Sequence, residues 1–326
     1  MKNWRSKIIM AVLFTAGLSL LLYPLVSNQW NDRRQKKLIT EYENVIAEAE
    51  ATASVDYTEE LRKAETYNEE LSPKILPDSF AVASNLISED REYLSCLNLA
   101  GDGMMGIVEI PKISVRLPIY HTTSEEVLQA AAGHLEGSSL PVGGVGTHAV
   151  ISAHRGLPSA SLFTDLDLLE EGDYFLLDIL DEELCYRVDR ISVVEPDDTR
   201  ELAVVPGEDL VTLMTCTPYG VNSQRLLVRG SRVPYEEGLV ERTPASGGLF
   251  GGSLHTNYLL WVIAGLTVTG VFVLVMFRRE RKLYGKSGGT KRPQEEQMDS
   301  AGAERDSARD SSMEASGQRG KSGEKP

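Results

Sequence analysis

Thr212-Leu213-Met214-Thr215-Cys216-Thr217-Pro218-Tyr219-Gly220 reads as the end of a β-strand that delivers a cysteine to a turn. Apolar and β-branched residues run up to Cys216, and Pro218 and Gly220 then bend the chain. Arg225 opens the next β-like run, so a hairpin would return its guanidinium toward the thiol. Working outward, runs of the same texture lie at Met105–Ile110, Val115–Tyr120, His148–Ala153, Tyr174–Leu180, Leu184–Val194, Leu210–Thr215 and Arg225–Val233. Turn residues separate them at the spacing of a β-barrel or sandwich, which predicts a mainly β, mostly antiparallel domain over 101–235. A helix is expected from Ser124 to Ala132, with Thr123 and Glu126 as its capping box and Gly133 closing it.

Two apolar segments frame this domain. Ile8 to Val26 is long enough to cross a hydrocarbon core of about 30 Å, and Lys2, Arg5 and Lys7 precede it. A cleaved signal peptide is the rival reading, but no A-x-A-like site appears before Trp30. Arg33, Arg34, Lys36 and Lys37 on the far side blur the charge bias of this first segment. Tyr258 to Phe277 is a second run of spanning length, followed at once by Arg278, Arg279, Arg281 and Lys282. Basic residues mark the cytoplasmic flank. The expected arrangement is therefore a two-pass plasma-membrane protein with both termini cytoplasmic and the intervening domain extracellular. Residues 1–29 would hold the first span, 30–100 a helical region, 236–257 a linker, 258–277 the second span and 278–326 a disordered cytoplasmic tail. In the helical region Asp56 with Glu59 reads as a helix start, and Leu61, Ala64 and Leu71 give that helix one apolar stripe. Most of the stretch from Trp30 reads as a solvated stalk.

The formal charge of −15 and the absence of a basic stripe away from the membrane flanks exclude a nucleic-acid binder. The three cysteines, 96, 185 and 216, have neither zinc-site spacing nor the pattern of a disulfide framework, so no metal is expected. A Cys96–Cys185 bridge is the one pairing considered; Cys185, mid-strand, reads as packing. A thiol with a pKa near 8.5 needs a nearby base or cation to become a nucleophile. Among the five histidines His154 stands best, at the end of an apolar strand before Arg155-Gly156-Leu157-Pro158, although His121, His134 and His148 also lie at element ends. Taken alone, a strand-end cysteine is more often a small buried hydrophobe, and a lone arginine after a turn a solvated charge.

At these residues the sequence resembles the sortases, whose Thr-Leu-X-Thr-Cys signature is matched by Thr212 to Cys216 and whose catalytic arginine is matched by Arg225. Within that family it is similar to class C, the pilus-assembling type, through Gly133-His134-Leu135-Glu136-Gly137-Ser138-Ser139-Leu140-Pro141, Ala153-His154-Arg155-Gly156-Leu157-Pro158 and Thr215-Cys216-Thr217-Pro218-Tyr219-Gly220. The likeness is close over Met105 to Tyr235 and looser upstream. It implies an eight-stranded β-barrel with short helices, preceded by N-terminal helices and flanked by two transmembrane helices. It also implies a lid loop at about 74–82, where Leu76-Pro77-Asp78-Ser79-Phe80 keeps the family's Asp and aromatic but carries Ser79 in place of Pro.

The resemblance further implies a cysteine transpeptidase without a cofactor. Cys216 would attack a Leu-Pro-X-Thr-Gly-like sorting signal on a secreted pilin, His154 would act as acid and base, Arg225 would steady the oxyanion or the substrate backbone, and Asp78 and Phe80 would cover the site. Two alternatives stand beside it. One is a sortase of the same chemistry that anchors surface proteins to peptidoglycan. The other is a wall-displayed structural or adhesive protein, against which stands the lack of a Leu-Pro-X-Thr-Gly motif before Tyr258, Arg242-Thr243-Pro244-Ala245 being a poor substitute.

Overall fold

Eight strands pair edge to edge until the last meets the first, so no backbone edge is left open to template another chain. They are β1 (Met104–Ile110), β2 (Val115–His121), β3 (Ala132–His134), β4 (Thr147–Ser152), β5 (Tyr174–Ile179), β6 (Glu182–Val194), β7 (Asp209–Thr217) and β8 (Gln224–Val233). The closed order is β1-β2-β3-β4-β7-β8-β6-β5. Only β2–β3 and β4–β7 run parallel, and the remaining pairs are antiparallel. The computed structural model describes residues 2–52, 56–71, 76–80, 88 and 90–235, together with scattered helical positions between 263 and 278.

The barrel is filled by inward side chains of alternate positions, among them Phe175 and Tyr186, which stack with ring centroids 5.6 Å apart. The hairpin β5–β6 sets them side by side, since Phe175 and Tyr186 are register partners. Gly230 of β8 makes room for the pair: a Cβ there would lie 2.7 Å from the Phe175 ring.

β3 departs from expectation. The helix foreseen over Ser124–Ala132 is only α4 (Glu125–Leu128), in which Ser124, not Thr123, accepts the capping bond from the Val127 amide. Gly133 lies in β3 instead of closing the helix. Its missing Cβ has a different use, because a Cβ at Gly133 would sit 2.4 Å from the Thr122 carbonyl oxygen. The alanines before it favour helix locally. Three residues of strand nevertheless win, because they pair β2 with β4 and complete the ring.

Among the described residues three α-helices precede the barrel: α1 (Lys2–Thr52), α2 (Tyr57–Glu70) and α3 (Arg91–Ser95). Asp56 caps α2 by accepting from the Glu59 amide, as the sequence predicts. Leu61, Ala64 and Leu71 turn to the core, and the Asn68 side chain exchanges two hydrogen bonds with the Leu140 backbone. The solvated stalk is not what forms. α1 runs unbroken past residue 30 and packs on the barrel wall through buried Ile39 and Tyr42 and half-buried Ile46. The Tyr42 hydroxyl donates to the Met105 carbonyl and accepts from the Leu180 amide. Among the described residues α1 is the one helix long and apolar enough to cross a membrane. The linker at 236–257 and the tail from 279 lie outside the described residues, as does most of the expected second span, 258–277. Cys96 and Cys185 are both free and buried, so the bridge considered above does not form.

α3 is tied to the barrel by buried polar groups. His134 donates from Nε2 to the Ser139 carbonyl and accepts at Nδ1 from the Tyr93 hydroxyl, which in turn accepts from the Thr122 amide. This geometry needs a neutral imidazole, and complete burial holds the pKa of His134 down to about 4. A histidine whose pKa is lower folded than unfolded contributes stability above its unfolded value near 6.5 that is lost as pH falls through the window down to 4. Denaturant unfolding of the segment Trp30–Tyr235 should therefore show about 2 kcal/mol less stability at pH 5 than at pH 7.5 from this group, and the His134→Gln variant a correspondingly shallower pH dependence.

Candidate active site

The ends of β4, β7 and β8 come together at one rim of the barrel. Cys216 and Arg225 are direct cross-strand partners in the antiparallel β7–β8 pair, so their side chains leave the same face of the sheet. β4 runs parallel to β7 with Ser152 level with Met214. Carrying that register on by two positions sets His154 beside Cys216. The register is pinned at the rim: the Ala153 amide donates to the Met214 carbonyl and the Thr215 hydroxyl donates to the Ala153 carbonyl at 2.7 Å.

Above the rim lies the segment Leu76–Phe80. Asp78 receives a bidentate pair from Arg225, Nε to Oδ1 at 2.8 Å and Nη2 to Oδ2 at 2.7 Å. The third guanidinium nitrogen donates to the carbonyls of Asn222 and Gln224 in the arginine's own turn. Phe80 lies between the other two groups, its ring 5.4 Å from the His154 ring and 5.3 Å from the guanidinium carbon of Arg225. Ser79, the departure from the family pattern, is wholly buried and accepts a hydrogen bond from the Ser152 hydroxyl at 2.8 Å. Serine does not fix its own backbone as proline does, and a buried side-chain bond to β4 fastens the segment instead. All five residues singled out from the sequence, Asp78, Phe80, His154, Cys216 and Arg225, thus fall in one cluster.

The electrostatics follow from burial. Burial pushes the Cys216 thiol up to about 11, with the Arg225 charge pulling it down and the Asp78 carboxylate pushing it up. Burial also lowers the pKa of His154, against the opposing pull of the Glu125 carboxylate. The nearest oxygen of Glu125 is 3.8 Å from His154 Nε2, beyond hydrogen-bond reach, and that buried nitrogen has no hydrogen-bond partner among the described residues. Both shifts favour a neutral thiol beside a neutral imidazole. Among the described residues no group of His, Cys, Asp or Glu side chains could hold a metal ion.

Sequence reasoning passed over several contributors. Arg155 pairs with Asp167, donates to the Thr217 hydroxyl at 3.2 Å and lies 6.0 Å from the centre of the Tyr219 ring, tying the chain after β4 to the chain after Cys216. Its position next to His154 was the only available signal. His148 bridges β7 to the loop between β6 and β7, with one ring nitrogen against the Thr212 hydroxyl at 2.8 Å and the other against the Ala203 carbonyl at 2.9 Å. That loop forms one wall of a shallow cavity that Leu202, Val194, Met214 and Leu227 line and Pro77 and Asp78 cap.

A profile described as the sortase domain matches residues 108–233. Sortase A of Bacillus anthracis is 30% identical over 154 residues, which cover 47% of this chain and 71% of that protein. The chain belongs to the sortase family. Sortases are cysteine transpeptidases, and this one is similar in structure to class C members. Sortase C-1 from Actinomyces oris shares 45% identity at a TM-score of 0.52, covering 55% of this chain and 98% of that one. The pilus-related sortase C of Group B Streptococcus shares 44% at 0.50, covering 55% and 90%. The closed eight-stranded barrel of this sortase is the architecture the resemblance implied.

Thr215 gives the rim a direct test. Thr215→Val removes the donor to the buried Ala153 carbonyl while keeping the side-chain shape, and should cost about 1–3 kcal/mol in denaturant unfolding. Because the bond fixes the residue before His154, activity should fall even at temperatures where the variant stays folded.

Proposed function

We propose that this sortase joins secreted pilin subunits, with Cys216 as nucleophile, His154 as acid and base and Arg225 as the cation at the reacting carbonyl. The observation that carries the reading is the Cys216–Arg225 cross-strand pair lying beneath Asp78 and Phe80. Similarity to the pilus-related sortase C of Group B Streptococcus supports pilins as the substrate class.

In this reading His154 takes the thiol proton of Cys216 as the sulfur adds to the threonine carbonyl of a Leu-Pro-X-Thr-Gly-like signal, and the Arg225 guanidinium faces the negative charge that develops on oxygen. The intermediate collapses by breaking the Thr–Gly bond, and His154 gives its proton to the departing amine, leaving a thioester on Cys216. A pilin lysine then adds to the thioester as His154 takes up its proton. The amide forms, sulfur leaves, and the thiol is restored. Every charge movement stays within protein groups and substrate, so the reaction calls on no cofactor.

The lid sets the resting state. With Asp78 on Arg225 the guanidinium is neutralised, the thiol is held protonated and Phe80 fills the space beside His154. Substrate entry then requires Asp78 and Phe80 to leave, a shift between closed and open populations. The reading extends to a plasma-membrane location with two spans, both termini cytoplasmic and the barrel outside the cell, supported by the apolar stretch of α1 and by basic residues after position 277. Anchoring of surface proteins to peptidoglycan is the competing reading, and reaction products separate the two.

Incubating the segment Trp30–Tyr235 with a pilin that carries its sorting signal should give a Cys216-linked acyl-enzyme by mass spectrometry and lysine-linked oligomers on a denaturing gel. Cys216→Ala should give neither, and full activity in that variant would refute the mechanism. An acyl-enzyme without oligomers, even after the lid is opened by substitution, would favour peptidoglycan anchoring. Asp78→Ala with Phe80→Ala should lower the thiol pKa of Cys216 and raise its alkylation rate at neutral pH by about tenfold for each pH unit of that fall. An unchanged rate would remove the lid from the scheme.

A further inference from the structure

The chain between His154 and Phe163 leaves the rim and returns to it, for the Phe163 amide donates to the His154 carbonyl and closes the excursion at its base. The tip of this loop is held by α1. Asn31 Nδ2 donates to the Ser159 carbonyl at 2.8 Å, and the amide and hydroxyl of Ser161 donate to Asn28 Oδ1 at 2.8 and 3.1 Å. One turn further along, Gln35 Nε2 donates to the Ala130 carbonyl, and only beyond that do Ile39 and Tyr42 reach the barrel wall. Of these contacts, those to the loop lie nearest the apolar stretch of α1.

That stretch ends at Val26, and α1 continues through it without a break. At 1.5 Å per residue, Asn28 and Asn31 stand about 3 Å and about 8 Å beyond its end. The polar layer on each side of a hydrocarbon core is about 5–8 Å deep. The helix carries the marks of that depth: Tyr23 and Trp30 are exposed aromatics on either side of the boundary, and Arg33, Arg34 and Lys36 follow as exposed cations. Tyr219 of the turn after Cys216 packs over Gly156, where an added Cβ would be 3.1 Å from its ring, and it too is exposed.

We propose that the loop Gly156–Ser161 rests in the phospholipid headgroup layer, held there by the Asn28 and Asn31 contacts, so that the rim bearing His154 and Cys216 faces the membrane surface. α1 is then a positioning element for the active site as well as an anchor. A polypeptide emerging from the same bilayer would meet the thiol within a few residues of its exit. The inference rests on the reading of Ile8–Val26 as a span.

The test uses the full chain with Cys216→Ala, reconstituted in vesicles of phosphatidylcholine and phosphatidylglycerol that carry a headgroup spin-labelled lipid. A fluorophore is attached in turn at Pro158→Cys in the loop, at Trp30→Cys on α1 and at Val145→Cys. Pro158 and Val145 are both exposed, and Val145 precedes β4, at the strand end away from His154 and about 20 Å off. Quenching at Pro158→Cys should approach that at Trp30→Cys and exceed that at Val145→Cys several-fold. Adding Asn28→Ala and Asn31→Ala should reduce quenching at Pro158→Cys by about half or more while leaving Trp30→Cys unchanged. Quenching at Pro158→Cys no greater than at Val145→Cys, with Trp30→Cys quenched, would overturn the proposal. Absence of quenching at Trp30→Cys would instead overturn the span reading and the proposal with it.

Discussion

The register of β7 is the constraint on which the site depends. This strand is paired on one side in parallel with β4 and on the other in antiparallel with β8, and a slip of one residue on either side would send a key side chain to the opposite face. Two threonines of the Thr-Leu-X-Thr-Cys signature guard it. Thr215 spends its hydroxyl on the Ala153 carbonyl and Thr212 spends its own on His148. The signature thus reads as structural chemistry up to Thr215 and presents its thiol only at Cys216. His148 then passes the constraint to the loop before β7, so the wall of the shallow cavity is fixed from the same strand.

Charge at the rim is balanced internally. Arg225 is largely withdrawn from solvent, yet each of its nitrogens finds an oxygen, from Asp78 or from its own turn, which is what a buried guanidinium requires. Truncating one member of such a pair costs more than the pair contributes, because the other is left buried and uncompensated. The segment Leu76–Phe80 is therefore held by a group that also stands next to the thiol, and any group that replaced Asp78 there would have to offer the guanidinium equivalent acceptors.

Much of this was legible in the sequence because strand ends announce themselves. Alternation and turn residues gave seven of the strands, and the N-terminal cap of α2 followed from Asp56 and Glu59. β3 was hidden because its three residues have no periodicity of their own and follow alanines that favour helix; only ring closure calls for them. The packing of α1 was hidden for a related reason. Its contacts are spread over Gln35, Ile39, Tyr42 and Ile46, a narrow stripe within a polar stretch. Of the site, the thiol, imidazole and guanidinium could be picked out by type and position and by family resemblance. Arg155 and Glu125 could not, since each acts through partners distant in the chain, and His148, noted only at an element end, gave no sign of its bonds to Thr212 and Ala203.

The fork between Asp78 and Arg225 has one more implication. With one guanidinium nitrogen already bound to the carbonyls of Asn222 and Gln224, the other two form an outward edge of two parallel donors. That edge is filled by the planar carboxylate of Asp78, with an aromatic ring following two residues later. An acid and an aryl group spaced as in Asp78-Ser79-Phe80, with the Ser79 hydroxyl bonded to Ser152 of β4, are thus the chemical outline that matches this edge of the site.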